Sequence, residues 1–212
     1  MQKIDRIPNA IQIPIERIYE VDRRKYFQKP LRLVTIGRLV FEKAQSVMVD
    51  AVELLAMRNI DVSLHIIGDG QLRSVLERRI IHLNLNNKVL LLGFQENPFQ
   101  WLVQSDIFVL TSLWESLSLA LMEAMAVGLP VVATATGGTP ELISHLENGY
   151  LIPPNSPLAL ADAVEFLYRH PELAYQMGQK ARQHILENYT IPKVADQLEK
   201  YYLTLLEEKN GQ

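Results

Sequence analysis

Short apolar runs alternate with longer amphipathic stretches along most of the chain. The apolar runs predict six strands, at residues 31–36, 62–67, 88–92, 106–110, 130–133 and 150–151. The stretches between them have helical periodicity and predict helices at 44–57, 71–82, 118–127 and 140–145. The strands are too apolar for one face to meet water, so we expect a parallel sheet covered by helices on both sides. The pattern therefore predicts an α/β fold.

The two ends of the chain depart from this alternation. After Pro153-Pro154 the pattern is wholly helical, at 157–169, 171–188 and 191–208, with Pro171 and Pro192 in first-turn positions. The first 30 residues are irregular and carry a charge run at 20–25. We therefore predict a linker-like segment at 1–30, an α/β domain at 31–190 and a C-terminal helix at 191–212.

Composition excludes several classes of protein. The 212 residues carry a net charge of −3, which gives no electrostatic footprint for nucleic acid. The chain has no cysteine, so disulfides and thiolate zinc sites are excluded, and a reducing cytoplasm is expected. No signal-like start and no apolar run of about 18 residues occur, so we expect at most peripheral contact with the inner face of a membrane.

Two glutamates mark the most informative segment. Glu115 follows the strand at 106–110, and Glu123 lies in the next predicted helix. On one continuous helix their side chains would point about 80° apart, so they converge only if Glu115 precedes the helix. Ser116 and Ser118 are both candidate N-caps. Carboxylates beside a helix start suit a ligand with hydroxyls and phosphates, and sugar nucleotides have both.

The segment from Glu115 to Glu123 resembles the E-x7-E signature of the retaining glycosyltransferases of family 4, which have two Rossmann-like lobes in the GT-B fold. Residues 35–43, 65–77, 89–94 and 137–141 resemble further motifs of that family, in the family's order. Together these segments cover about residues 31–155. Residues 7–11 resemble the family's linker between lobes, with Ala10 in place of glycine and Gln12 in place of aspartate. The resemblance implies one donor-binding lobe that needs an N-terminal lobe, such as a partner chain could supply.

The resemblance also implies roles for individual residues. Arg38 and Lys43 would offset charge on the departing diphosphate, and Glu115 would lie beside the transferred sugar. Glu123 would accept hydrogen bonds from the ribose, while Ser116 and Ser118 replace glycines that would allow closer backbone approach. The other implied donor-binding residues are Gly37, Phe94, Leu117, Leu119, Gly137, Gly138 and Thr139.

Several of these residues keep a second interpretation. Arg38 and Lys43 could be solvated surface cations, and Phe94 could belong to the core. Thr139 is predicted as an N-cap followed by Pro140 at the first helical position, with free backbone N–H groups that bind phosphate. His65 is expected to be a core residue.

The resulting hypothesis is a hexosyltransferase of polysaccharide biosynthesis. It would use a UDP- or GDP-hexose, act with retention on a glycan or lipid-linked acceptor, and need no metal or other cofactor. The alternative is a non-catalytic nucleotide-sugar-binding fragment or regulatory subunit. A nicotinamide dehydrogenase is disfavoured, because Arg73 takes the third glycine position of that fingerprint. Apolar residues expected on the cleft face favour a lobe that is covered by a partner: Leu39, Val40, Phe41, Trp114, Leu117 and Leu119.

Overall fold

The structure is a computed structural model that describes residues 8–11, 27 and 29–210, with side chains described as far as residue 206. Most of the predicted linker-like segment 1–30 lies outside the described residues, including Ile7, Gln12 and the charge run at 20–25. The last two residues of the predicted C-terminal segment also lie outside them.

Within the described residues, six parallel strands form one sheet in the order β3-β2-β1-β4-β5-β6. The strands are β1 (Leu31–Ile36), β2 (Val62–Ile67), β3 (Val89–Gly93), β4 (Ile107–Leu110), β5 (Val131–Thr134) and β6 (Tyr150–Ile152). Each lies within one residue of its predicted bounds. The predicted α/β class with a Rossmann-like parallel sheet is confirmed.

The helices of the described residues are α1 (Gln45–Met57), α2 (Arg73–His82), α3 (Phe99–Gln104), α4 (Leu119–Ala126), α5 (Thr139–Leu142), α6 (Pro157–Arg169), α7 (Pro171–Asn188) and α8 (Ile191–Asn210). A 3-10 turn at Phe41–Lys43 precedes α1. The pattern did not predict α3, and α5 is shorter than the predicted 140–145.

Both faces of the sheet are buried, because successive side chains of each strand enter opposite cores. Leu33 belongs to the core under α1, α2 and α6, whereas the next residue, Val34, belongs to the core under α4. Phe108 and Val109 divide in the same way. The domain therefore has the three-layer arrangement that the apolar strands predict.

One helix contributes to both cores. Ala174 and Met177 of α7 pack into the first core, and Ala181 and Ile185 pack into the second. Between them, a Cβ added at Gly178 would lie 2.3 Å from the carbonyl oxygen of Gly128. Glycine is therefore required where α7 passes the turn between α4 and β5.

The strand order creates a crevice at one edge of the sheet. From β1 the chain continues to β2, whereas from the neighbouring β4 it continues to β5 on the opposite side. The loops after β1 and β4 therefore separate at the carboxyl ends of these strands, where open α/β sheets bind ligands. Across the described residues, no helix combines the length and apolar character needed to span a membrane.

Candidate active site

The loop after β1 is held in place by backbone contacts. Leu39 is fully buried, and its N–H donates to the carbonyl of Asp69 at 3.0 Å. The Arg38 side chain is exposed, and its carbonyl accepts a hydrogen bond from Gln45 Nε2 at 2.7 Å. The prediction that Leu39 lies on an exposed cleft face is therefore wrong, because the loop folds this side chain inward.

The loop after β4 is attached to the loop after β1. Thr111 Oγ1 donates to the carbonyls of Lys43 and Ala44, both at 3.0 Å. The N–H of Leu113 donates to the carbonyl of Glu42 at 2.8 Å. These bonds place the 3-10 turn of the first loop directly beside Glu115 of the second.

Lys43 and Glu115 form the central ion pair of this crevice. Lys43 Nζ donates to Glu115 Oε2, and Ser112 Oγ donates to the same oxygen at 3.1 Å. The exposed fractions are 23% for the Lys43 side chain and 12% for that of Glu115. An ammonium group has three donors, so with one bond to the described residues Lys43 has two further donors to offer a ligand. The structure therefore brings together two residues that the sequence predicted separately.

The loop after β5 packs against the backbone of the Glu115 loop. A Cβ added at Gly137, whose φ is +53°, would lie 1.7 Å from the carbonyl oxygen of Glu115. A Cβ at Gly138 would lie 1.7 Å from the carbonyl oxygen of Ser116. The N–H of Gly138 donates to the Glu115 carbonyl at 2.9 Å. The paired glycines therefore fix the position of Glu115.

The predicted start of α5 is wrong in two respects. Gly138 is the N-cap and Thr139 the first helical residue, so Thr139 makes no cap bond, and its buried hydroxyl has no hydrogen-bond partner among the described residues. The N–H groups of Gly138, Thr139 and Glu141 are bonded to backbone carbonyls. The predicted set of free N–H groups for phosphate is therefore absent at these three positions.

The helix that carries Glu123 begins where one of the two candidate caps stands. Ser118 is the N-cap of α4, and its Oγ accepts from the N–H of Leu121 at 3.3 Å. Glu115 thus precedes the helix and Glu123 lies within it, as the spacing requires. Glu123 is half-buried, and burial raises the pKa of its carboxyl group.

A cavity of about 760 Å³ opens beside Glu115. It is lined by Pro8, Asn9, Glu115, Ser116, Leu117, Gly137, Gly138, Glu141 and Tyr189. Five of these are predicted site residues. Glu141 ends the motif at 137–141, and Pro8 and Asn9 belong to the linker-like motif at 7–11, but none of the three was predicted as a site residue. Tyr189 gave no local signal.

Other predicted residues lie away from this cavity wall. Arg38, Phe94 and Glu123 are not among its lining residues. Phe94 is 79% exposed, so of its two interpretations the core position is excluded. It follows β3, three strand positions from β4 and about 14 Å away by the usual strand spacing. A ligand that contacts both Glu115 and Phe94 must therefore be elongated.

Two large aromatic side chains are exposed on the loops that carry the ion pair. Phe41 is 64% exposed and Trp114 is 57% exposed, with ring centroids 6.3 Å apart and planes tilted by 56°. Leu119 is 51% exposed, whereas Val40 and Leu117 are only partly exposed. The expected apolar cleft face is therefore reduced mainly to these three exposed side chains.

Histidines and acids of the described residues form no metal cluster of three or more groups. His65, expected in the core, is partly buried, stacks edge-on against Trp101 at 5.4 Å and lies 3.3 Å from Ser63 Oγ. Burial lowers the pKa of His65, and the positive charge of Arg32 lowers it further.

Comparison with known proteins places these features in a family. The family model for glycosyl transferases group 1 matches residues 19–184. N-acetyl-alpha-D-glucosaminyl L-malate synthase of Bacillus anthracis is 32% identical, over 93% of this chain and 56% of the relative. Poly(ribitol-phosphate) alpha-N-acetylglucosaminyltransferase of Staphylococcus aureus is 29% identical, over 87% of this chain and 39% of the relative.

Solved structures agree with the fold. A mutant of S. aureus TarM, in complex with Fondaparinux, alpha-GlcNAc-glycerol and UDP, matches 94% of this chain and 39% of its own, with TM-score 0.82 and 28% identity. HepE of Anabaena in complex with UDP-glucose matches 82% of this chain and 49% of its own, with TM-score 0.76 and 24% identity. The chain thus spans between about two fifths and a little over half of these proteins.

Proposed function

The chain belongs to the group 1 glycosyl transferases, and we propose that it is the donor-binding lobe of a retaining, family 4-like enzyme with the GT-B fold. In this role it helps transfer a hexose from a UDP- or GDP-sugar to a glycan or lipid-linked acceptor. The observation that carries the proposal is the Lys43–Glu115 ion pair at the crevice between β1 and β4. This pair sets a cation and a carboxylate side by side at the carboxyl ends of the strands, where open α/β sheets bind ligands.

The two charges suit the two halves of a nucleotide-sugar. Lys43 retains two donors for the diphosphate, and the exposed Arg38 adds a second cation to the same loop. Such cations stabilise the negative charge that develops on the departing nucleotide. The carboxylate of Glu115 is then placed beside the sugar hydroxyls. Because these cations hold the diphosphate, the proposed reaction needs no metal ion.

The nucleotide half of the donor extends away from this pair. Glu123 accepts hydrogen bonds from the ribose, and the exposed Phe94 after β3 lies near the base. Uridine diphosphate is the first candidate, because the 28% identical TarM structure contains UDP. The names of both relatives above include N-acetylglucosaminyl groups, which supports a hexose-derived donor.

A second lobe completes the acceptor side of the proposed enzyme. The chain spans 56% of the Bacillus anthracis relative and 39% of TarM. We therefore propose that an N-terminal lobe, such as one from a partner chain, completes the cleft. The complex is expected in the cytoplasm, with at most peripheral contact with the inner membrane face.

Thermal unfolding with UDP, GDP and ADP tests the donor site. A nucleotide at about 100 times its dissociation constant should stabilise the chain by about 2.7 kcal/mol, a shift of a few degrees. The shift should be lost in Arg38→Ala and Glu123→Ala but kept in Arg78→Ala, which removes an exposed arginine on α2. The proposal is overturned if no nucleotide shifts the transition, or if all three variants behave alike.

The second candidate is a lobe that binds a nucleotide-sugar without transferring the sugar. The ion pair favours it, because Lys43 and Glu115 are both assigned here to the donor, and catalysis needs groups from both sides of the cleft. Donor binding with neither sugar transfer nor donor hydrolysis, even with the N-terminal lobe of a relative added, would select this alternative.

A further inference from the structure

We propose that Phe41 and Trp114 form a stacking platform for a pyranose ring of the acceptor, on the two loops that carry Lys43 and Glu115. The inference rests on the proposed transferase function and adds the chemical class of its second substrate, a carbohydrate. We refer to these two side chains as the Phe41–Trp114 pair.

The first support is that the two rings are exposed on loops that are joined to each other. More than half of each side chain is exposed, although aromatic side chains of this size stabilise a fold most when buried. The loops that carry them are joined by the Leu113–Glu42 backbone bond at 2.8 Å and by the Lys43–Glu115 ion pair. A fixed support limits the entropy lost on binding, which favours a ligand site over an incidental contact.

The second support is the geometry of the rings. Their centroids are 6.3 Å apart and their planes are tilted by 56°, so they are not stacked face to face. Each ring therefore keeps surface available to a third group. A pyranose offers aliphatic C–H groups on its faces, which pack against aromatic rings, and hydroxyls around its edge.

The third support is the polar surrounding of the pair. Phe41 is followed by Glu42 and Lys43, and Trp114 by Glu115 and the exposed Ser116. Charged residues are depleted in the core of protein–protein interfaces, so this surface is a poor match for a purely apolar protein partner. A sugar ring can pack its C–H groups on the aromatic rings and bond its hydroxyls to the neighbouring polar residues at the same time.

The position of the pair assigns the ring to the acceptor. The Glu115 side chain is 12% exposed, whereas more than half of each ring is exposed. A donor sugar that reaches the shielded Glu115 leaves the exposed rings free, and an acceptor must approach that sugar from the solvent side. The proposed base position after β3 is too distant for the base to stack on the same rings.

Fluorescence of Trp114 itself tests the inference, since the chain has two tryptophans and Trp101 is the other. In Trp101→Phe, titration with maltose, cellobiose or N,N′-diacetylchitobiose should change the Trp114 emission in a saturable way. Phe41→Ala should weaken this binding about five- to tenfold, equivalent to about 1–1.4 kcal/mol. If Trp101→Phe does not fold, the difference between wild type and Trp114→Phe gives the same signal.

The chain offers a matched control. Tyr202 on α8 is 56% exposed, and its ring lies 6.3 Å from that of Tyr201, so Tyr202→Ala removes a comparable exposed aromatic ring. It should leave the disaccharide affinity unchanged. Equal affinities in Phe41→Ala and Tyr202→Ala, or no response to any disaccharide, would overturn the inference.

Two further titrations separate the other occupants. A response to UDP-glucose without any response to disaccharides assigns the rings to the donor, and a response to UDP alone assigns them to the nucleotide. Either result overturns the acceptor assignment. The UDP-induced shift in thermal unfolding is measured on the same samples, so a failed platform with retained UDP binding leaves the proposed donor site intact.

Discussion

Lys43 and Glu115 are 72 positions apart in the sequence, yet their side chains form an ion pair that joins the loops after β1 and β4. The Glu115 backbone is in turn held by Gly138, whose N–H donates to its carbonyl. Three loops at the carboxyl ends of neighbouring strands therefore depend on one glutamate. The consequences for stability and for binding can be measured separately.

A double-mutant cycle should reveal strong coupling between Lys43 and Glu115. Lys43→Ala removes the positive charge beside the mostly buried Glu115 carboxylate and leaves it the hydrogen bond from Ser112. Losing the charged partner of a buried carboxylate is costly. In urea unfolding of Lys43→Ala, Glu115→Gln and the double variant, we expect a coupling free energy of about 1–3 kcal/mol. The control is the more exposed i,i+4 pair Arg73–Glu77, where about 0.2–0.5 kcal/mol is expected. Equal coupling in the two pairs would contradict the prediction.

Gly137→Ala and Gly138→Ala should destabilise the chain and weaken nucleotide binding. In each variant the new Cβ would lie 1.7 Å from a backbone carbonyl oxygen of the Glu115 loop, so that loop must move. A loss of about 1–3 kcal/mol in unfolding free energy is expected. Gly37→Ala is the control for stability alone, because its nearest contact would be an ordinary 3.8 Å from Lys43 Cε. Urea unfolding compares the three variants, and UDP titration compares Gly137→Ala and Gly138→Ala with the wild type.

Glu123→Gln should stabilise the free chain at neutral pH while weakening nucleotide binding. Burial raises the pKa of Glu123, so the folded state binds the proton more tightly than the unfolded state does. The wild type is therefore penalised when Glu123 is ionised, and this penalty disappears below about pH 4.5, its ordinary pKa. The stability gain of Glu123→Gln should grow as pH rises from that value through the raised pKa.

The pH dependence of unfolding in urea gives the readout for Glu123. Glu199→Gln on α8, which removes an exposed carboxylate, should show no such trend. A ribose contact predicts that Glu123→Gln also lowers UDP affinity, by about 1.5–3 kcal/mol for a charge-assisted bond. A variant that is more stable at neutral pH but binds UDP normally would exclude the proposed ribose role.

Gly178→Ala should destabilise the chain, although an alanine normally favours a helix. The usual gain is about 0.5–1 kcal/mol, but here the methyl group would meet the Gly128 carbonyl at 2.3 Å. We expect a net loss of about 1–3 kcal/mol from the forced displacement of α7. Lys180→Ala, two residues along the same helix and exposed, is the control and should change stability little. A stabilised Gly178→Ala would show that α7 can shift freely.

The accuracy of the sequence-based predictions follows the range of the interactions involved. β1 and β2 were predicted to the residue, because each is a mostly apolar run that is followed directly by a glycine, Gly37 or Gly68. The six-residue α3 was missed, because Phe99–Gln104 is too short to display a helical period. The position of Leu39 was wrong, because its burial depends on Asp69 and Leu72, about thirty residues away.

In the candidate site, too, local features were predicted and contacts between distant residues were not. The spacing placed Glu115 before the helix and Glu123 within it, because both positions follow from local helix geometry. The bond from Lys43 to Glu115 and the close packing of Gly138 on Ser116 join distant parts of the chain. Local pattern carries no information on such contacts, so Thr139 was assigned a cap that Gly138 occupies.

Because α7 packs into both cores, it affects how the domain unfolds. Ala174 and Ala181 lie on opposite sides of the Gly178 contact, within one uninterrupted helix. Neither layer of helices can detach from the sheet without drawing α7 out of the other layer. Opening should therefore be all-or-none, with amide protons beneath both layers exchanging through a single global event. The loops that carry Lys43 and Glu115 are thus supported by two helix layers that should unfold together.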